Sequence, residues 1–177
     1  MDDQNYEIFF DITEVVKTIK AYLPKFDEER FLQAFSFAEI AHRGQLRKDD
    51  KTPYIAHPVE VVRILIKLHA DEDILISALL HDVPEDTPFD IHQINEKFGE
   101  KIAFLVDGIT KMSKVHYQHN MPERQVESLK KLLLHTAEDL RVVIIKLADR
   151  LHNMKTLKNI KEPEKRIRIA GETLEIY

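Results

Sequence analysis

Four titratable side chains fall within six positions in Leu79-Leu80-His81-Asp82-Val83-Pro84-Glu85-Asp86-Thr87, directly after the apolar run Ile74-Leu75-Ile76-Ser77-Ala78-Leu79-Leu80. Burying imidazole and carboxylate groups together costs free energy unless they are paired or bound to a cation. On a helix His81 and Asp82 diverge by about 100°, yet both can bend toward one ion in a cleft. Glu85 and Asp86 follow near the same helix end. The chemistry such a set offers is divalent-cation binding. The competing reading is a helix C-terminus carrying solvated acids, and this stretch alone leaves both open.

A second cluster lies in Val142-Val143-Ile144-Ile145-Lys146-Leu147-Ala148-Asp149-Arg150-Leu151-His152-Asn153-Met154, apolar enough for a central core helix. Asp149, Asn153 and Thr156 fall at i, i+4 and i+7 and form a polar stripe on one face, with Lys146 one turn before it. An aspartate inside a core helix needs a partner. His152 sits off the stripe and reads as a core or supporting histidine. The third piece is Tyr54-Ile55-Ala56-His57-Pro58, a histidine at the mouth of a helix, for which a structural role and a ligand role both stand.

The chain has no cysteine and nine histidines in 177 residues, so a bound metal would be held by nitrogen and carboxylate oxygen. Only four glycines occur, at 44, 99, 108 and 171, too few and too scattered for a GxGxxG or Walker loop. Little glycine with long 3.6-residue periodicity predicts an all-α domain. Helices are expected over 11–23, from Asp27 to about Arg43, from His57, over 74–83 after an Asp71 cap, from Asp90 to Phe98 and over 100–110. Further helices are expected over 123–140 and 141–157, and a last one begins at Pro163. Residues 111–121 read as a polar loop. Lys111-Met112-Ser113-Lys114 resembles the KMSKS signature of class I aminoacyl-tRNA synthetases, a coincidence in a chain without a Rossmann domain.

The charge balance of 26 basic and 31 acidic residues gives −5, unlike the basic surfaces that wrap nucleic acid. A local basic patch survives at Arg43, Arg47, Lys48 and Lys51. No apolar stretch approaches the roughly 18 residues of a membrane span, and the N-terminus is acidic where a signal peptide is basic. Neither a nucleic-acid nor a membrane partner is expected, and the expected location is cytoplasmic.

His57, His81-Asp82 and Asp149, at spacings of 24 and 67, resemble the H…HD…D pattern of the HD-domain metal-dependent phosphohydrolases. The stretches 41–48, 53–58, 81–87, 98–99, 106–111, 146–154 and 172–177 narrow this to a resemblance to the hydrolase domain of the RelA/SpoT alarmone enzymes, over roughly residues 27–177. The resemblance implies an HD-domain helical bundle of about 8–10 helices, one domain over 1–177 with an N-terminal helix within 1–26 packed on it. It implies hydrolysis of the 3′-pyrophosphate of (p)ppGpp with Mn²⁺. Carried over by position, His57, His81, Asp82 and Asp149 are the metal ligands, and Glu85 and Asp86 the acids that position or activate water. Arg47 and Lys48 are the basic pair beside base and phosphates, and Asn153 and Thr156 contact the nucleotide. His42 and His152, inside these motifs, are supporting residues. A set without thiolate suits Mn²⁺ over zinc, and the basic patch in an acidic chain suits an anionic substrate.

The chain departs from the family's pattern at two sites, and as a third departure it has no synthetase or C-terminal regulatory region, so alarmone synthesis is not expected of it. Asp49-Asp50-Lys51-Thr52 is one residue longer than the usual spacer, and Pro84 replaces an aliphatic residue. The resemblance at 172–177 is where the family runs on toward a synthetase, so a longer chain with that partner domain is expected. The rival readings are another HD phosphohydrolase acting on a deoxynucleotide or nucleoside monophosphate, and a non-catalytic alarmone-binding domain.

Overall fold

A computed structural model describes residues 11–113 and 139–176. Its described residues form nine α-helices and one short 3₁₀ turn, with no strand. They are α1 (Ile12–Tyr22), α2 (Glu28–Ala41), α3 (Ala56–Ile66), α4 (Glu72–Leu80), α5 (Val83–Asp86), α6 (Ile91–Phe98), α7 (Glu100–Ser113), α8 (Leu140–Lys155) and α9 (Pro163–Ile176), with the 3₁₀ turn at Leu157–Asn159. The expected all-α bundle is what the chain adopts. The helix expected over 123–140 lies outside the described residues up to 138, and Leu140 begins α8 instead.

Helix α4 is the axis. Every residue from Ile74 to Leu80 is buried, because α2, α3, α7 and α8 all pack against it. A helix apolar on all sides must be enclosed on all sides. Asp71 caps its start by accepting from Ile74 N, as its position before the apolar run predicts. The helix stops at Leu80, three residues earlier than the sequence pattern indicates. His81 forms the C-cap and Asp82 the N-cap of the four-residue α5, with Pro84 in its first turn. Proline is tolerated there but cannot sit deeper in a continuous helix, so the chain breaks just before it. His81 and Asp82 therefore occupy a corner, not a straight helix.

Asp27 caps α2, and Asp90 with Gln93 forms a capping box on α6. Gly99, at φ 86°, turns the chain from α6 into α7. Helix α7 runs to Ser113, so the first three residues of the loop expected over 111–121 are helical, and the rest lie outside the described residues. Helices α7 and α8 cross closely at Gly108, where a Cβ would lie 2.9 Å from Val142 Cγ2. At one edge Arg30 of α2 bonds Glu72 (3.0 Å), Asp73 (3.3 Å) and the Phe98 carbonyl (2.9 Å). Arg141 of α8 approaches Asp73 at 3.8 Å and grips Asp139 at 2.6 Å. Helix α1 lies on α3, its Tyr22 hydroxyl donating to Ala70 O at 2.9 Å.

The longer 49–52 spacer is an ordered turn. Leu46 and Pro53 form an antiparallel bridge, Arg47 N donates to Thr52 O at 2.7 Å, and Asp49 accepts from Lys51 N, Thr52 N and Thr52 Oγ1. Those bonds to Thr52 hold the Asp49 carboxyl at a pKa of about 2.

Candidate metal centre

Two helices and one corner converge on a single buried point. The first turn of α3 supplies His57, the corner after α4 supplies His81 and Asp82, and the middle of α8 supplies Asp149. His57, His81 and Asp149 each offer a ligand atom within 4.8 Å of the others, and all three are buried. Asp82 closes the set: its Oδ1 lies 3.1 Å from His81 Nε2 and its Oδ2 3.5 Å from His57 Nε2. Asp149 Oδ1 lies 3.2 Å from His57 Nε2 and 4.0 Å from His81 Nε2.

The donor set fits a divalent cation. His81 Nδ1 lies 2.8 Å from Ala78 O, a contact that needs the Nδ1 proton. Its fully buried Nε2 has no hydrogen-bond partner, although two carboxylates face it. A lone pair among acceptors is unfavourable, and either a proton or a cation relieves it. Burial works against a charge on His81, but the negative charge of Asp82, 3.1 Å from Nε2, and that of Asp149 raise its pKa to about 9. Burial alone would raise the Asp82 carboxyl, yet His81 and His57 hold it below the usual range. Asp149 behaves alike: burial opposes its charge, while Lys146 and the His57 hydrogen bond pull it well down.

The supporting contacts follow the predicted stripe on α8. Lys146 Nζ lies 2.9 Å from Asp149 Oδ2, and Asn153 Nδ2 donates to Asp149 Oδ1 at 2.6 Å. Arg47 Nη2 reaches Asn153 Oδ1 at 3.4 Å, so the longer spacer still delivers Arg47 to this cluster. Thr156 is not drawn in. It is the C-cap of α8, and its hydroxyl donates to the His152 and Asn153 carbonyls. Lys48 keeps an exposed surface, but the protein around it displaces part of its water, and this, then Arg47, Lys165 and Arg168, lower its pKa. The two cations from α9, Lys165 and Arg168, were not among the candidates.

Glu85 and Asp86 are both exposed on α5, and Asp86 is joined to the cluster. Tyr54, which the sequence alone gives no reason to single out, makes the joint: its hydroxyl lies 2.7 Å from Asp82 Oδ2 and 3.0 Å from Asp86 Oδ2. Burial, then the charges of Asp82 and Asp86, raise its pKa, so the phenol keeps its proton. His152 packs its Nδ1 2.6 Å from His57 Nδ1. Burial and the neighbouring His57 and Arg47 bring its pKa to about 4, and it stays neutral. One of the two facing nitrogens must carry the shared proton, which fixes the orientation of both rings. His42 stacks on Tyr54 at 4.6 Å.

A two-histidine, two-aspartate cluster at the meeting of helices, with HD at the corner, defines an HD-domain protein. The family model for the HD domain matches residues 34–177, and the chain belongs to that family. Within it, the resemblance to the RelA/SpoT enzymes holds. The guanosine-3′,5′-bis(diphosphate) 3′-pyrophosphohydrolase of Haemophilus influenzae is 50% identical over 140 residues, 79% of this chain and 20% of that protein. The bifunctional (p)ppGpp synthase/hydrolase SpoT of Escherichia coli is 45% identical over 159 residues, 90% of this chain and 22% of that protein. The chain thus spans about a fifth of the length of these curated relatives. A solved structure described as a metazoan ortholog of SpoT that hydrolyses ppGpp superposes with a TM-score of 0.67 at 28% identity, covering 86% of this chain and 85% of that one.

Proposed function

We propose that this chain is a Mn²⁺-dependent hydrolase that removes the 3′-pyrophosphate of (p)ppGpp, leaving GDP or GTP, and acts in the stringent response. The observation that carries the reading is the buried His57–His81–Asp149 cluster, closed by the partly buried Asp82, with an unpartnered imidazole nitrogen facing carboxylates. The names of relatives at 45–50% identity support the substrate.

The roles follow from position. His57, His81, Asp82 and Asp149 hold the cation, whose oxygen-and-nitrogen set without thiolate favours Mn²⁺. Once bound, such a cation polarises phosphoryl oxygens and makes water more acidic. Lys146 and Asn153 hold Asp149 in place. Arg47 and Lys48, with Lys165 and Arg168 nearby, draw in and orient the polyanionic nucleotide. Water provides the oxygen that ends on the departing pyrophosphate. A carboxylate of the Glu85–Asp86 pair accepts one of its protons, and a proton returns to the 3′-oxygen as its bond to phosphorus breaks. Asn153 and Thr156 face the nucleoside. The cytoplasm is the proposed place of action. No helix among the described residues is long and apolar enough to cross a membrane.

The test compares pyrophosphate release from ppGpp with phosphate release from dNTPs, with Mn²⁺ and after chelation. Mn²⁺-dependent pyrophosphate from ppGpp is expected. Phosphate from dNTPs alone would place the chain with other HD phosphohydrolases, and binding without turnover would make it a sensor; either result sinks the proposal.

A further inference from the structure

Tyr54 brings one hydroxyl proton to two carboxylates, Asp82 Oδ2 at 2.7 Å and Asp86 Oδ2 at 3.0 Å. An O–H donates along one line at a time, so it serves the two acids by turning between them. Its ring is fixed. It stacks on His42 at 4.6 Å, Arg47 sits 5.5 Å over it, and its backbone N–H donates to Gln45 O at 3.0 Å. Gln45 in turn donates from Nε2 to the Asp86 carbonyl at 2.7 Å. One short segment before α3 therefore grips Asp86 by both main chain and side chain. Asp86 needs that grip, because α5 has only four residues and little helix of its own to hold the side chain's direction.

We infer that Tyr54 is a positioning residue that couples the cation cluster to the acid pair, through Asp82 to the firmness of cation binding and through Asp86 to the aim of the proton acceptor. A cation on Asp82 draws off lone-pair density and leaves Asp86 the stronger acceptor, so the hydroxyl turns to Asp86 when the cluster is filled. The turnover arm rests on the function proposed above, while the cation arm rests on the geometry of the cluster.

Tyr54→Phe keeps the ring against His42 and beneath Arg47 and removes the hydroxyl alone. After chelation, calorimetric titration with Mn²⁺ should show binding weakened about tenfold, the usual effect of losing a partner that orients a ligand. Saturated with Mn²⁺ and given ppGpp, the variant should lose roughly 10- to 100-fold in kcat with KM within about twofold. In an Asp86→Asn background the same substitution should cost no further kcat, since groups acting as a unit are not additive. Gln45→Leu provides a second route that leaves Tyr54 intact: kcat should fall while Mn²⁺ affinity holds. Unchanged Mn²⁺ affinity in Tyr54→Phe, or kcat losses that multiply in the double variant, overturns the inference. An unmutated chain that releases no pyrophosphate overturns the functional reading instead, and the Mn²⁺ titration still decides the cation arm.

Discussion

Two clusters of charged residues tie helices together in this fold, and they end differently. At the edge, Arg30 and Arg141 meet Glu72, Asp73 and Asp139, and both guanidinium groups end on carboxylates or a carbonyl. At the centre, Asp82 and Asp149 meet Lys146 and two histidines, and a buried ring nitrogen is left without a hydrogen bond. The edge cluster supplies its own cations in a geometry that suits guanidinium. The central one gathers carboxylates around imidazole and leaves its charge for something else to complete. A structural network closes on itself, and a binding site stays open by one atom.

The largest expected effect tests that openness. Asp149→Asn removes a charge the cation needs, and Mn²⁺-dependent turnover should drop about a thousandfold, several kcal/mol of transition-state stabilisation. Steady-state pyrophosphate release checks it, and a variant within tenfold of the parent would place the cation elsewhere.

Next is proton–metal competition. His81, with a pKa of about 9 in the metal-free fold, must shed its proton for the cation to bind. Mn²⁺ affinity measured by calorimetry should therefore rise by roughly tenfold per pH unit between pH 6.5 and 8. The same shift sets stability. The folded pKa lies above the ordinary histidine value of about 6.5, so in chelated protein this contribution is complete below about pH 6.5 and is lost as pH climbs through 9. The Tm of chelated protein should decline across that window. A flat profile contradicts the paired His81–Asp82 corner.

Arg30→Met breaks the closed cluster instead. With a third of the side chain exposed, the cost should be about 1–2 kcal/mol, a Tm lower by roughly 5 °C, with Mn²⁺ affinity unchanged. If both fell together, the two clusters would not be independent. Smallest is Lys161→Ala: its bond to Asp50, 2.5 Å long between side chains each 71% exposed, should leave Tm and Mn²⁺ affinity where they were.

What the sequence made legible was local. Lys146, Asp149 and Asn153 lie within two turns of one helix, so periodicity alone groups them, and they do bond one another. Asp71 and Asp90 cap helices as their positions foretell. What it hid depends on packing between distant segments. Tyr54 stands 28 and 32 residues before its two carboxylates, and in an apolar run a tyrosine reads as core. His57 and His152 touch across 95 residues, and Lys165 and Arg168 approach Lys48 only because α9 folds back. Thr156 shows the converse: its spacing puts it on the stripe, but at the helix end its hydroxyl finds nearer carbonyls. The break at His81 was a competition between an apolar run that favours continuing and a proline that forbids it.

The contact at Gly108 has a mechanical consequence. Val142, which a Cβ there would strike, lies seven residues before Asp149, so the two share one side of α8 about 10 Å apart. Helix α8 is a rigid rod, and Gly108 is the notch on which it is seated. A single methyl placed in that notch would act as a wedge, tilting the rod and carrying Asp149 away from the two histidines without touching any of them. The alignment of the cluster is thus gauged from outside it, by a residue that has no side chain to offer.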